Sequence, residues 1–190
     1  MRIVDEITRT HARNTLIRWR SEHESLLREQ ADPALRERLL QCLRRPPFDH
    51  ANTIGVYWPI RGEPELAPCY AQWRSEGRTL ALPRIAEGGA LEFGLWRDDG
   101  EVRTGRFAIP VPHPFEPIEP ELLIVPCVGF DARGYRLGYG GGHYDRTLAR
   151  RAVAAIGVGY DACELECFDA AAYDRRLSTI VTESRVIEAP

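Results

Sequence analysis

The run RLGYGGGHYDR, Arg136 to Arg146, places glycine at Gly138, Gly140, Gly141 and Gly142, with Asp145 just beyond and an arginine at each end. Each glycine loses more backbone freedom on folding than any other residue, so four in five positions call for a compensating use. Glycine lets consecutive N–H groups approach an anion with no Cβ in the way, and a helix starting at the end of the loop adds partial positive charge. Arg136 and Arg146 can present planar forks to phosphate oxygens, while Asp145 can orient a donor or hold Mg²⁺ through an oxygen. The same residues also suit a purely structural turn, with left-handed glycines, a first-turn helix acid and solvated arginines. The spacing is not GxGxxG and no GK[ST] follows, so the loop is neither a dinucleotide fingerprint nor a Walker A sequence.

The elements that must position this loop are legible from pattern. Imperfect helical periodicity over Asp5 to Arg28 and again over Ala34 to Leu43 predicts two helices, stopped at Pro46 and Pro47. Asn52 to Tyr57 (NTIGVY) reads as a strand, followed by the loop WPIRGEPEL and a helix over Leu66 to Glu76. Arg78 to Pro83 and Leu91 to Trp96 read as strands, and the prolines between Gly100 and Pro120 predict an irregular extended connection. Leu122 to Pro126 (LLIVP) is continuously apolar, as expected of a strand covered on both faces. The glycine loop then leads to a helix over Tyr144 to Arg151, an apolar strand over Ala152 to Tyr160 and a last strand over Thr179 to Thr182, before a short tail. Strands alternating with helices predict an α/β protein with a largely parallel sheet. The loop therefore lies between a strand and a helix, where such sheets bind ligands.

Composition narrows the function. With 190 residues and 44% hydrophobic content the chain suits one domain, residues 1–190. A net charge of −3 gives no overall attraction for nucleic acid or anionic membrane. No lysine is present, so a phosphate must be met by arginine, backbone N–H groups or a metal. The five cysteines (Cys42, Cys69, Cys127, Cys163, Cys167) are scattered and read as free thiols. With no signal-like apolar segment, the expected location is cytoplasmic.

The stretch Val125 to Arg146, VPCVGFDARGYRLGYGGGHYDR, resembles the signature of the 5-formyltetrahydrofolate cyclo-ligase family, close to P-x-x-x-F-D-x-x-G-x-R-L-G-x-G-x-G-x-Y-D-R. The matching residues are Pro126, Phe130, Asp131, Gly134, Arg136, Leu137, Gly138, Gly140, Gly142, Tyr144, Asp145 and Arg146. A Y-x-P-x-x-x-E segment (Tyr57, Pro59, Glu63), an LP at Leu82 and Pro83, an F-x-I-P-x-P segment from Phe107 to Pro112 and a closing TE at Thr182 and Glu183 follow the family order over most of the chain.

The resemblance implies a three-layer α/β/α fold and an enzyme that uses Mg²⁺ and ATP to cyclise 5-formyltetrahydrofolate to 5,10-methenyltetrahydrofolate, acting as a monomer without nucleic acid or membrane. It implies that Arg136, Leu137, Gly138, Tyr139, Gly140, Gly141, Gly142, His143, Tyr144 and Asp145 surround ATP, with Arg136 and Asp145 catalytic and Asp145 a Mg²⁺ ligand. On the first helix it implies nucleotide contacts at Asn14 and Arg18, and on the folate side substrate contacts at Trp58, Glu63 and Tyr144. Departures from the pattern are Asn14 in place of a lysine, with Arg13 adjacent or Arg20 as a substitute, Val111 in place of a glutamate and His143 in place of an aromatic residue. Cys163, Tyr173 and Ser178 stand where glutamine, histidine and aspartate are expected. The departures leave a second reading open, a divergent relative that binds nucleotide or folate without cyclising it.

Overall fold

The computed structural model describes residues 2–3 and 6–190. Seven strands form the central sheet: β1 (Thr53–Gly55), β2 (Thr79–Ile85), β3 (Leu91–Leu95), β4 (Leu122–Pro126), β5 (Ala154–Val158), β6 (Thr179–Val181) and β7 (Val186–Glu188). Their order is β7-β6-β5-β4-β1-β2-β3. The five inner strands run parallel, and β3 and β7 close the two edges antiparallel. The main helices are α1 (Glu6–Glu22), α2 (Asp32–Cys42), α3 (Ala67–Ser75) and α4 (His143–Arg150).

Successive residues of a strand point to opposite faces, and Leu122, Leu123, Ile124 and Val125 are all buried, so the sheet is covered on both sides. This is the expected layered α/β arrangement. The chain enters the sheet at its middle in β1 and moves outward through β2 and β3. It then returns to the other side of β1 as β4 and moves away again. The order therefore reverses between β1 and β4, where Ile54 pairs with Leu122 and Gly55 with Leu123.

Four features differ from the sequence reading. The first helix is not continuous to Arg28: it ends at Glu22, and a short helix (Glu24–Leu26) and a wide turn of π-helix (Leu27–Ala31) lead into α2. The proline-rich connection contains a two-stranded ribbon, Val102–Thr104 against Pro110–Pro112. His113 N–H donates to the Glu101 carbonyl and Gly105 N–H to the Ile109 carbonyl, both at 2.8 Å. By alternation Pro110 and Pro112 take the non-hydrogen-bonded positions, where a missing N–H leaves no gap in the ladder. The tail supplies edge strand β7, and a small hairpin, Gly129–Phe130 with Arg136–Leu137, separates β4 from the glycine loop.

Candidate active site

The reversal between β1 and β4 opens a crevice at the carboxyl ends of these strands. The loop after β1 carries Trp58 and Glu63, and the glycine loop approaches from the side of β4. The two meet where the Tyr139 hydroxyl lies 3.5 Å from the Ile60 carbonyl.

Residues Ile60 to Glu63 form a tight turn. Glu63 N–H donates to the Ile60 carbonyl at 3.0 Å, and the central residues Arg61 and Gly62 have φ of 50° and 71°. Such a turn favours glycine, and a Cβ on Gly62 would also lie 3.0 Å from the Arg20 backbone, so the turn rests directly on α1. The side chain folds back, with Glu63 Oε2 accepting from Ile60 N–H at 3.0 Å. Only 2% of Glu63 is exposed. Burial raises its pKa to about 7, against the downward pull of the Ile60 N–H, the Arg20 charge, the Tyr139 hydroxyl and the Arg28 charge.

The turn is braced from the helical layer. Arg28 Nη1 donates to the Glu63 carbonyl at 2.8 Å and to Asp32 Oδ2 at 3.1 Å. Fully buried Asp32 also accepts from Glu65 N–H at 3.0 Å and from the Tyr160 hydroxyl at 2.7 Å. Beside the turn, Trp58 is 39% exposed and meets Trp96 edge-on, ring centroids 6.1 Å apart. A wide aromatic surface thus borders a buried carboxylate, a combination suited to a flat heterocycle with N–H donors.

The glycine loop is anchored at its start by Leu137, buried against Ala12 and Leu165, and ends at Gly142, which caps α4 with φ 62°. Among the described residues, none of the N–H groups of Gly138 to Gly142 has a hydrogen-bond acceptor. Arginines hold the loop by its carbonyls: Arg13 Nε donates to Gly138 at 2.7 Å and Arg146 to Gly141. Arg146 also donates to the Gly89 carbonyl at 3.2 Å, and His143 Nδ1 lies 2.6 Å from the same oxygen. The N–H groups thereby stay open, an arrangement able to receive an anion. A cavity of about 330 Å³ opens here, lined by Gly140, Gly141, Gly142, Asp145, Tyr173 and Arg175 among others.

The structure gives Arg136 a different position from an open phosphate fork. Its Nη2 donates to Asp145 Oδ1 at 2.8 Å and its Nη1 to the Arg175 carbonyl at 2.7 Å, while Arg175 N–H reaches the same Asp145 oxygen at 3.1 Å. The Arg136 side chain is 4% exposed. It holds Asp145 in place, and Asp145 Oδ2 has no partner among the described residues. The same residues contain no cluster of three His, Cys, Asp or Glu able to hold a metal by themselves. A single carboxylate with a free oxygen still fits Mg²⁺, which commonly takes one or two carboxylates plus phosphate oxygens and water.

Asn14 and Arg18 are exposed, roughly 100° and 140° around α1 from Arg13. The helix instead turns Arg13 to the glycine loop and Arg20 into the interior. Tyr144 is half-buried against the main core, its hydroxyl pKa raised by burial and then by the charge of Glu63. Tyr173 and Arg175 were not among the expected site residues, and Arg20 was expected only as a substitute for the missing lysine. A sequence signal for Arg20 existed: with Arg13 it recurs at helical spacing beside Ala12 and Leu16, on the stripe that faces the protein.

A family model described as the 5-formyltetrahydrofolate cyclo-ligase family matches residues 6–183. The 5-formyltetrahydrofolate cyclo-ligase of Escherichia coli K12 is 30% identical over 182 residues, covering 89% of this chain and 98% of that protein. The NMR structure of Aquifex aeolicus 5,10-methenyltetrahydrofolate synthetase superposes with a TM-score of 0.78 at 28% identity, over 95% of this chain and 92% of that one. A 5,10-methenyltetrahydrofolate synthetase from Mycoplasma pneumoniae, 21% identical, shares the fold with a TM-score of 0.75, over 93% of this chain and 99% of that one.

Proposed function

The chain belongs to the 5-formyltetrahydrofolate cyclo-ligase family, and from that premise we propose that the glycine loop and the Glu63 turn are the ATP and folate halves of one active site. The enzyme is a ligase that cyclises 5-formyltetrahydrofolate to 5,10-methenyltetrahydrofolate with ATP as co-substrate. The observation that carries the residue assignment is the row of unpartnered N–H groups from Gly138 to Gly142, joined through Tyr139 to the turn that buries Glu63.

In the reaction, the formyl oxygen is a poor leaving group until it is phosphorylated. Its attack on the γ-phosphorus forms an O–P bond as the bond to ADP breaks. N10 then closes on the formyl carbon and gives up its proton, and the carbon–oxygen bond breaks to release phosphate. Phosphoryl transfer of this kind is accelerated chiefly by positioning and charge neutralisation. The loop N–H groups and the start of α4 receive the phosphates, with Arg13, Arg146 and Arg175 supplying positive charge nearby. Asp145, held by Arg136, offers Oδ2 to Mg²⁺, which when bound neutralises phosphate charge. On the other side Glu63 accepts from pterin N–H groups while Trp58 and Tyr144 border the ring.

Three of the departures from the family pattern leave this machinery in place. Asn14 faces outward and Arg13 serves the loop in its place, His143 grips the Gly89 carbonyl, and Cys163 is buried in the core. Family membership over nearly the full chain does not favour the non-cyclising reading. Purified protein with 5-formyltetrahydrofolate and Mg-ATP tests the proposal: the near-ultraviolet band of the methenyl product is expected to rise with ATP and to fail in Glu63→Ala. An unchanged rate in that variant would remove Glu63 from the folate site.

A further inference from the structure

Arg20 is fully buried, yet no carboxylate pairs with it among the described residues. Its Nη2 donates to the Tyr139 hydroxyl at 2.8 Å and its Nη1 to the Cys127 carbonyl at 3.3 Å, while its Nε has no partner among the described residues. A buried guanidinium with an unsatisfied N–H is an expensive way to hold helix to sheet, where a leucine would pack without penalty. Its surroundings indicate a use. Gly62 packs on the Arg20 backbone, Glu63 follows it, and the Tyr139 hydroxyl stands between the guanidinium and that turn. Tyr139 is also the one side chain larger than hydrogen within the five-residue run Gly138 to Gly142.

We propose that Arg20 is a positioning residue for the cyclisation: through the Tyr139 hydroxyl, which lies between its guanidinium and the Ile60 carbonyl, it ties the folate turn to the glycine loop, and its buried charge favours the acceptor-only form of the Glu63 carboxylate on that turn. The inference rests on the assignment of Glu63 to the folate site. An anionic carboxylate accepts N–H donors from a heterocycle, whereas a protonated one offers an O–H that opposes them. Burial drives Glu63 toward protonation near neutral pH, so a buried positive charge decides how much of it is ready for substrate. The groups facing the carboxyl are Arg20 from α1, Arg28 from the π-helical turn, Tyr57 from the loop after β1, and Tyr139 and Tyr144 from the glycine loop and α4. Arg20 and Arg28 bear the positive charge in this set, and Arg28 is committed to Asp32, Glu24 and the Glu63 carbonyl.

The test follows the Glu63 carboxyl by ¹³C NMR across pH in the apoprotein, in wild type, Arg20→Gln, Arg20→Lys and Tyr139→Phe, with calorimetric binding of 5-formyltetrahydrofolate alongside. Arg20→Gln should move the Glu63 midpoint upward by about one unit or more, and Arg20→Lys should restore much of it. Tyr139→Phe, at a partly exposed position, should move it upward by less. The acid limb of folate affinity should follow the same order. A structural role would lower stability without moving the midpoint, so an unmoved midpoint in folded Tyr139→Phe and Arg20→Gln would overturn the coupling. A midpoint that moves while folate affinity stays flat with pH would instead reject Glu63 as the folate acceptor, and the positioning role with it.

Discussion

The glycine loop and the Glu63 turn solve opposite problems within one crevice. The loop is open, its charged side chains already tied to one another or to carbonyls, and what it leaves unpaired is backbone N–H. The turn is closed, and what it leaves exposed to chemistry is one carboxylate kept away from water. On the proposed assignment the loop takes a phosphate, which brings its own charge, so neutral N–H groups suffice to receive it, and the turn takes a neutral pterin, which must find charge already buried. The first arrangement loses glycine entropy, and the second loses solvation.

The largest break in this comparison is Asp145→Ala. It leaves the nearly buried Arg136 without its anion, and the expected result is loss of turnover by at least about 100-fold together with a stability loss on the order of 3 kcal/mol, read by denaturant melts. Full activity with unchanged stability would show that the pair serves neither role.

Glu63→Gln should separate function from stability. Folate affinity should fall by about 10- to 100-fold as charge-assisted bonds are lost. In the wild type the folded-state pKa of Glu63 is raised above its ordinary value, so its stabilising contribution is present below about 4.5 and is lost as pH rises through about 7. The glutamine variant should therefore match wild type in thermal stability near pH 4.5 and exceed it at pH 8 by up to about 3 kcal/mol. An equal or lower stability at pH 8 would contradict the burial account.

Gly62→Ala sharpens the contrast between the two regions. A positive φ and close contact with α1 should cost about 1 to 2 kcal/mol and raise KM for the folate while KM for ATP stays near wild type. Arg13→Ala is the smallest change and the converse. Loss of one bond to Gly138 should raise KM for ATP by about five- to tenfold with the folate KM unmoved. Parallel changes in both constants in either variant would dissolve the division into halves.

Much of this architecture was legible before the fold was seen. LLIVP announced a strand buried on both faces, and the glycines with Asp145 marked a loop between strand and helix whose N–H groups are open. The tail strand β7 was hidden because pairing with β6, not its own alternation, makes it a strand. The ribbon around Pro110 and Pro112 was hidden because proline is compatible with a ladder only in register, which depends on the partner strand. On α1, motif position suggested Asn14 and Arg18, whereas helical phase turns Arg13 and Arg20 toward the glycine loop. A turn of helix is 3.6 residues, so adjacent positions point roughly 100° apart. The Arg136–Asp145 pair was out of reach for another reason: both residues were visible, but the partner carbonyl and N–H of Arg175 come from a segment thirty to thirty-nine residues away.

The central claim is that ATP on the glycine loop and the formyl group beside Glu63 react directly with one another. It is tested most directly by supplying 5-formyltetrahydrofolate labelled with ¹⁸O in the formyl oxygen and weighing the phosphate released by the wild-type enzyme. The account predicts one ¹⁸O atom per phosphate, because the formyl oxygen leaves on phosphorus. Methenyl product formed together with unlabelled phosphate would contradict it.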